Sequence, residues 1–360
     1  MPSLSSRAPQ RLTLPEPQLS LRAQGTTSRA LPRNLCLDVI KGGTILLVVL
    51  GHAIQSHVNQ FDHNVFFRLI YSFHMPLFMI LSGWVARPER PRKLTKTSIR
   101  LVLPVVSWYF IGYFLHGQYH TIALSAFVLE WVKSPDVGLW FLWVLFLCHL
   151  WLTVAWLISR WLGMWSYFIC AGLLCAVPFS EMGMKMVRWD FPFVALGYVV
   201  ALHWDICAKY ARHAAIVGFL LFSLAFPHWQ RTSAGYPSVP LHFAGAQLEI
   251  GLPVLLATRL VCALAGSIIF SCLLTVAAPE QAKSALSWLG TITLEIYAIH
   301  QLLIHFAFGQ GAAAVASSLI ITTATSVLAV WFLNKSTLTA LILFGRIPTP
   351  DVHSSLRHGV

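Results

Sequence analysis

The sequence predicts an all-α fold, a polytopic transmembrane helix bundle of about ten spans with both termini in the cytoplasm. Three observations predict it. Of 360 residues, 57% are apolar and only 11% are charged, where soluble chains carry about 25% charged residues. The apolar residues gather into runs of span length. The basic residues gather between the runs, with a strong bias to alternate connections.

Taking roughly 17 to 25 apolar residues per span, and fewer where Pro or Gly interrupts, helices fall at 35–56, 65–86, 101–116, 139–158, 163–179, 190–204, 213–228, 252–278, 288–307 and 311–333. Segment 117–138 holds Leu124 to Val132, too short to cross, and reads as an external loop with an interfacial helix. Residues 1–33 are polar, rich in Pro, Ser and Arg, and lack the apolar core of a signal peptide. They read as a disordered cytoplasmic arm before a transmembrane domain at 34–335 and a cytoplasmic tail at 336–360.

With the first span entering from the cytoplasm, eighteen Lys and Arg fall on the cytoplasmic side. Five (Arg68, Lys133, Lys185, Arg188, Arg231) fall on the other. Cytoplasmic loops of membrane proteins carry this excess, so the net charge of +12 needs no nucleic-acid partner; the partners expected are membrane lipids. No sequence feature sets an oligomeric state. The seven cysteines include no CxxC pair and read as small core residues, and no HExxH, dinucleotide fingerprint or P-loop occurs. No metal is expected.

Ionisable residues inside a span are costly and mark functional sites. Lys41 and His52 stand eleven residues apart in the first span. Eleven steps of 100° make three turns and about 20°, which puts both on one stripe about 16 Å apart along the axis. Asp38, three residues before Lys41, is placed to pair with it.

The second span carries His74, a mid-helix Pro76 and Ser82-Gly83, the last suited to close helix approach. A basic loop, 87–100, runs into the third span with Arg100 at its mouth, placed to hold a phosphate or carboxylate. Trp140 opens the fourth span, where aromatic belts are common. Arg188 and Asp190 suit an ion pair at the external face, and Arg259 an interfacial position. In Thr293-Leu-Glu-Ile-Tyr-Ala-Ile-His300, Glu295 should point into the bundle or sit in the interface. It lies about 140° around the helix from His300, so the two should not pair within it. Tyr297 shares the stretch, and His305 should meet water near the external end.

These elements resemble the acyltransferase-3 family of integral membrane acyltransferases, in particular its fucose 4-O-acetylase and glycan O-acetyltransferase branch. The resemblance covers about Leu37 to Leu333. It rests on Lys41 and His52 with ten residues between, Phe73-His-Met-Pro-Leu-Phe78, Ser82-Gly83, Arg100-Leu-Val-Leu-Pro104, Trp140-Phe-Leu142 and the Thr293 to His300 segment. Lys41 stands where many members carry Arg.

The resemblance implies transfer of an acyl group, usually acetyl, from acetyl-CoA to a sugar hydroxyl of a cell-envelope or exported glycan at the bacterial inner membrane. His52 then suits the general base that activates the hydroxyl, or a transiently acylated residue. Arg100 and Lys41 suit the CoA phosphates and the entrance. Asp38, His74, Ser82, Trp140, Glu295, Tyr297 and His300 are candidates for support or acceptor contact. A transporter or flippase for a glycan or lipid-linked precursor is the competing class, with Lys41, Asp38 and His52 as its polar pathway.

Overall fold

The computed structural model describes residues 34–115, 117–135, 138–176, 181–231, 251–304 and 309–347. The expectations for the arm at 1–33, for His305, for most of the 229–251 loop and for the tail past 347 lie outside the described residues.

All described regular structure is helical. In chain order the helices are α1 (Leu35–His57), α2 (Val65–Val85), α3 (Pro91–Leu115), α4 (Leu124–Lys133), α5 (Trp140–Leu162), α6 (Trp165–Ala176), α7 (Met184–Leu202), α8 (Trp204–Ala225), α9 (Gly251–Cys272), α10 (Glu280–Gly290), α11 (Thr293–Leu303), α12 (Ala312–Leu333) and α13 (Thr337–Phe344). Seven helical stretches among the described residues are long and apolar enough to cross a membrane. They contain α1, α2, α3, α5, α8, α9 and α12.

The other three expected spans take a different form. In the fifth, α6 has 12 residues, about 18 Å of helix at 1.5 Å per residue against a hydrocarbon core of about 30 Å. In the sixth, α7 has 19 residues but carries Lys185, Arg188 and Asp190. The ninth, expected as one helix over 288–307, is broken at Thr291 and Ile292 into α10 and α11, each of 11 residues. Gly290 followed by the β-branched Thr291-Ile292-Thr293 weakens the helix there, and the Thr291 hydroxyl donates to Trp288 O at 2.7 Å.

The third expected span also changes. Helix α3 starts ten residues before the hydropathy rises, with Pro91 first, where a missing N–H costs nothing. Most of the expected basic loop is therefore helix, because Lys and Arg raise polarity without lowering helix propensity. The short external helix appears as α4. Residues 337–344, expected in the tail, form α13, which packs on α3 and α11.

Helix α1 is the centre of the bundle. Its most apolar window is 72% buried, against 6% for that of α8 at the periphery, and it packs on α2, α10, α11 and α12. Ile45, Val49 and Ala53 are fully buried beside Met79, Leu142, Phe193 and Ile296. Two crossings depend on glycine. A Cβ on Gly42 would stand 1.9 Å from the Leu286 carbonyl oxygen, and one on Gly290 1.9 Å from that of Asp38, so α10 lies directly on the first turns of α1. Gly83 and Gly197 bring α2 and α7 together in the same way. At the far end of α1, His57 Nδ1 donates to Gly309 O at 3.0 Å, and Gly311 N–H donates to His57 O at 2.8 Å. The start of α12 is thereby pinned to the end of α1.

Candidate active site

The first turns of α1, the end of α2, the start of α3, the middle of α5 and the start of α11 enclose a cavity of about 240 Å³. Four cations line it: Lys41, Arg87, Lys93 and Arg100. The two cations that the sequence singled out, on different helices, thus share one cavity. Lys41 Nζ is 3.8 Å from Asp38 Oδ1, the expected pairing one turn apart. Arg87 Nη1 donates to Ala86 O at 2.6 Å and Trp84 O at 3.2 Å, so its guanidinium is held at the end of α2. Ser82, Thr293 and Tyr297 also line the cavity, with Phe78 and Phe141 among its apolar walls.

Tyr297 is the inner link. Its hydroxyl oxygen accepts from Phe141 N–H at 3.4 Å, and its ring centroid lies 5.5 Å from that of His300. The His300 ring centroid is in turn 5.2 Å from that of His52. Lys41 and His52 do not share one cavity: Lys41 and Tyr297 line the basic cavity, whereas His52 and His300 do not.

His300 is fully buried. Its Nδ1 lies 2.7 Å from Tyr297 O and 3.2 Å from Ile296 O. Carbonyls only accept, so Nδ1 carries the hydrogen, and the neutral ring presents Nε2 as an acceptor. That Nε2 is buried and has no hydrogen-bond partner among the described residues. His74, 4% exposed, is fixed alike, with Nδ1 donating to Ile70 O at 2.8 Å, and its ring lies 4.8 Å from Tyr71. His52 is held by the Gln55 side chain, and Gln55 Oε1 accepts from the Tyr71 hydroxyl at 3.3 Å. Among these three histidines only His52 is partly accessible. One tautomerically fixed imidazole, that of His300, thus lies beside the accessible imidazole of His52.

The remaining candidates fall elsewhere. Glu295 is fully buried but turns from His300, as its angular position requires, and receives Arg346 Nε at 2.5 Å. Trp140 is partly buried and lines no described cavity. Arg188 and Asp190 do not form a surface pair: both are buried. Arg188 Nε donates to Leu174 O at 3.1 Å, and Asp190 feels the charge of Arg259. Arg259 itself is stacked 4.7 Å over the Trp189 ring. The reason is the early start of α7, which carries Arg188 and Asp190 inside a helix rather than before one.

Sequence reasoning missed His149, Gln55 and Tyr71. His149 lines the basic cavity and donates from Nδ1 to Leu145 O at 2.8 Å. The signal that found His52, a lone imidazole in an apolar run, applies equally to His149. No metal-ligating cluster of His, Cys, Asp or Glu occurs among the described residues.

Comparison with known proteins gives the family. The sequence model of the Acyltransferase domain family matches residues 34–335. The chain is 27% identical over 282 residues to the nodulation protein NolL of Sinorhizobium fredii, covering 74% of this chain and 77% of that one. It is 24% identical over 283 residues to the nodulation protein NolL of Mesorhizobium japonicum, covering 74% and 75%. No solved structure matches. With the family model matching from the start of α1 to past the end of α12, the chain belongs to the Acyltransferase domain family, acyltransferase-3, as a polytopic membrane protein.

Proposed function

We infer that the protein transfers an acyl group, acetyl in the simplest case, from acyl-CoA to a sugar hydroxyl of a cell-envelope or exported glycan at the bacterial inner membrane. The observation that carries this reading is the basic cavity leading through Tyr297 to the paired rings of His300 and His52. CoA is a polyanion with a long, slender arm ending in the thioester. A volume of about 240 Å³ is below the roughly 300–1,000 Å³ of pockets that enclose whole drug-sized ligands, so it suits the arm, with the phosphates held at the rim by Lys41, Arg87, Lys93 and Arg100. Phosphate charges are too costly to place in hydrocarbon, which puts the basic end of the bundle in the cytoplasm. This is the orientation that the distribution of Lys and Arg requires.

An alcohol is a weak nucleophile at its ordinary pKa. His52 takes the proton from the acceptor hydroxyl as the oxygen adds to the thioester carbonyl. The C–S bond then breaks, and His52 returns the proton to the departing thiolate. Gln55 and the neighbouring His300, held as its Nδ1–H tautomer, keep His52 oriented. Because the base lies beyond the basic cavity, acceptor and donor approach from opposite ends and CoA never crosses. Purified protein in phospholipid nanodiscs, given labelled acetyl-CoA and extracted envelope glycans, should form alkali-labile labelled glycan; absence of any labelled glycan would contradict the assignment.

A further inference from the structure

A second cavity, of about 290 Å³, lies between α3, α4, the start of α5 and the end of α11. Its position follows from the helices it shares with the basic one. Helix α3 gives Leu101 to the basic cavity and Val105 to the second, α5 gives Phe141 and then Leu139, and α11 gives Tyr297 and then Ala298. The two cavities thus succeed each other along the bundle, and the second lies on the side away from the cations.

Its lining has a distinct chemistry. Trp108, Tyr109 and Tyr113 of α3 line it, with Tyr109 and Tyr113 at the i, i+4 spacing that puts side chains on one face and Trp108 on the adjacent one. Gly112 leaves a flat gap between them. Tyr109 is braced by stacking on Phe127 at 4.3 Å, and the Trp108 indole is fixed by donating Nε1–H to Leu343 O at 2.9 Å. Glu130, Gln118 and Gln301 supply a carboxylate and two amides, and among the described residues no Lys or Arg lines the space. A site without cations and with a carboxylate disfavours phosphates. Rigid rings beside acceptors and amide donors suit a neutral ring with C–H faces and a rim of hydroxyls. Gln301 follows His300 directly in α11, so the cavity lies at the height of the His52–His300 ring pair along that helix.

We propose that this cavity is the acceptor subsite and holds one neutral pyranose of the glycan, stacked on the α3 rings with hydroxyls on Glu130 and the two amides. The assignment of an acceptor role rests on the acyltransferase reading; the saccharide site itself does not. The test is saturation-transfer NMR of methyl glycosides of glucose, galactose and fucose with the full-length protein in phospholipid nanodiscs, which avoid sugar-headed detergents. At least one glycoside should receive saturation on its ring protons. Tyr109→Ala should weaken it by about tenfold, the scale of one lost aromatic contact, Tyr109→Phe should restore it, and Glu130→Gln should weaken it without changing the melting temperature.

No glycoside binding to the wild type, equal binding to Tyr109→Ala and Glu130→Gln, or displacement of the glycoside by acetyl-CoA would each overturn the proposal. Glycoside binding that depends on Tyr109, together with no acetyl transfer by the same preparation, would uphold the saccharide site and strike only the acyltransferase reading.

Discussion

The imidazole rings of His52 on α1 and His300 on α11 lie 5.2 Å apart, centroid to centroid, and the buried Nε2 of His300 has no hydrogen-bond partner among the described residues. His300 is thus held by the α11 backbone with its acceptor nitrogen free to orient the accessible ring. On the proposed mechanism it is a positioning residue, acting through His52. Replacing His300 with Ala should lower kcat on the order of 100-fold, the lower part of the range for disturbing a general base, with little change in the KM for acetyl-CoA. His300→Gln, which retains a polar acceptor, should recover part of the loss. A rise in donor KM with kcat unchanged would assign His300 to donor binding instead.

Lys41 and Arg100 line one cavity from α1 and α3. Lys41→Met and Arg100→Gln should each raise the KM for acetyl-CoA about tenfold, since a hydrogen bond to a charged group contributes about 1.5–3 kcal/mol. The KM for the acceptor should stay constant. Added salt should raise the wild-type donor KM and affect the variants less, because exposed charges are screened. Equal changes in donor and acceptor KM would contradict a donor-specific cavity.

Glu295 has no exposed side-chain surface to speak of, and its ion partner is Arg346, just past α13. Removing one partner of a buried pair leaves a charge uncompensated and costs about 3–5 kcal/mol. Arg346 is 38% exposed, so Arg346→Ala should fall at or below the bottom of that range. Glu295→Gln should cost less than Arg346→Ala, because it removes the buried charge. Thermal unfolding of the three proteins in nanodiscs checks the order.

Gly83 faces the Val194 carbonyl oxygen of α7 at a distance that leaves no room for a Cβ. Gly83→Ala should destabilise by about 1–3 kcal/mol, the usual cost of overpacking, and Gly83→Leu should prevent the folded protein from accumulating. Ser82→Ala, at the neighbouring position that lines the basic cavity, should leave stability within about 0.5 kcal/mol of wild type. Melting temperatures of the purified variants, with yield for Gly83→Leu, measure this.

Outside the spans, Asp62 receives Arg231 Nε at 2.6 Å and Nη2 at 2.9 Å. These bonds hold its carboxyl below the usual Asp range. A depressed folded value means that the pair stabilises fully above the ordinary Asp pKa and loses this contribution as pH falls through the folded value. Both side chains are more than a third exposed or nearly so, which limits the gain to about 1 kcal/mol or less. The melting-temperature difference between wild type and Asp62→Asn should therefore be small but present at pH 7 and should shrink as the pH is lowered through and below the ordinary Asp range. A difference that widens in acid would contradict the pairing.

The all-α class and the positions of α1, α2, α5 and α12 were legible from apolar run length alone, to within four residues. The ends of α3 and α7 were not, because hydropathy locates a membrane whereas helices continue through charged residues that keep good helix propensity. The break at Thr291 follows from a glycine and a β-branched run that a hydropathy window averages away. In the site, Lys41, Arg100 and His52 stood out because charge and imidazole are costly in an apolar run. The pairing of His52 with His300 is a contact between helices more than two hundred residues apart, and spacing within one helix carries no trace of it. Glu295 with Arg346 is similar: the need for a partner was legible and its identity was not. The aromatic cavity was hidden because belts of Trp and Tyr are the ordinary expectation at membrane interfaces.

The most direct test of the central claim is transfer of labelled acetyl from acetyl-CoA to extracted envelope glycans by purified wild-type protein and by a His52→Ala variant with an unchanged melting temperature, in nanodiscs where a transporter has no reaction to show. The account predicts labelled glycan from the wild type and a rate lower by at least about 100-fold from the variant. Equal transfer by the two proteins would remove His52 from the chemistry, and no transfer by either would contradict the acyltransferase assignment.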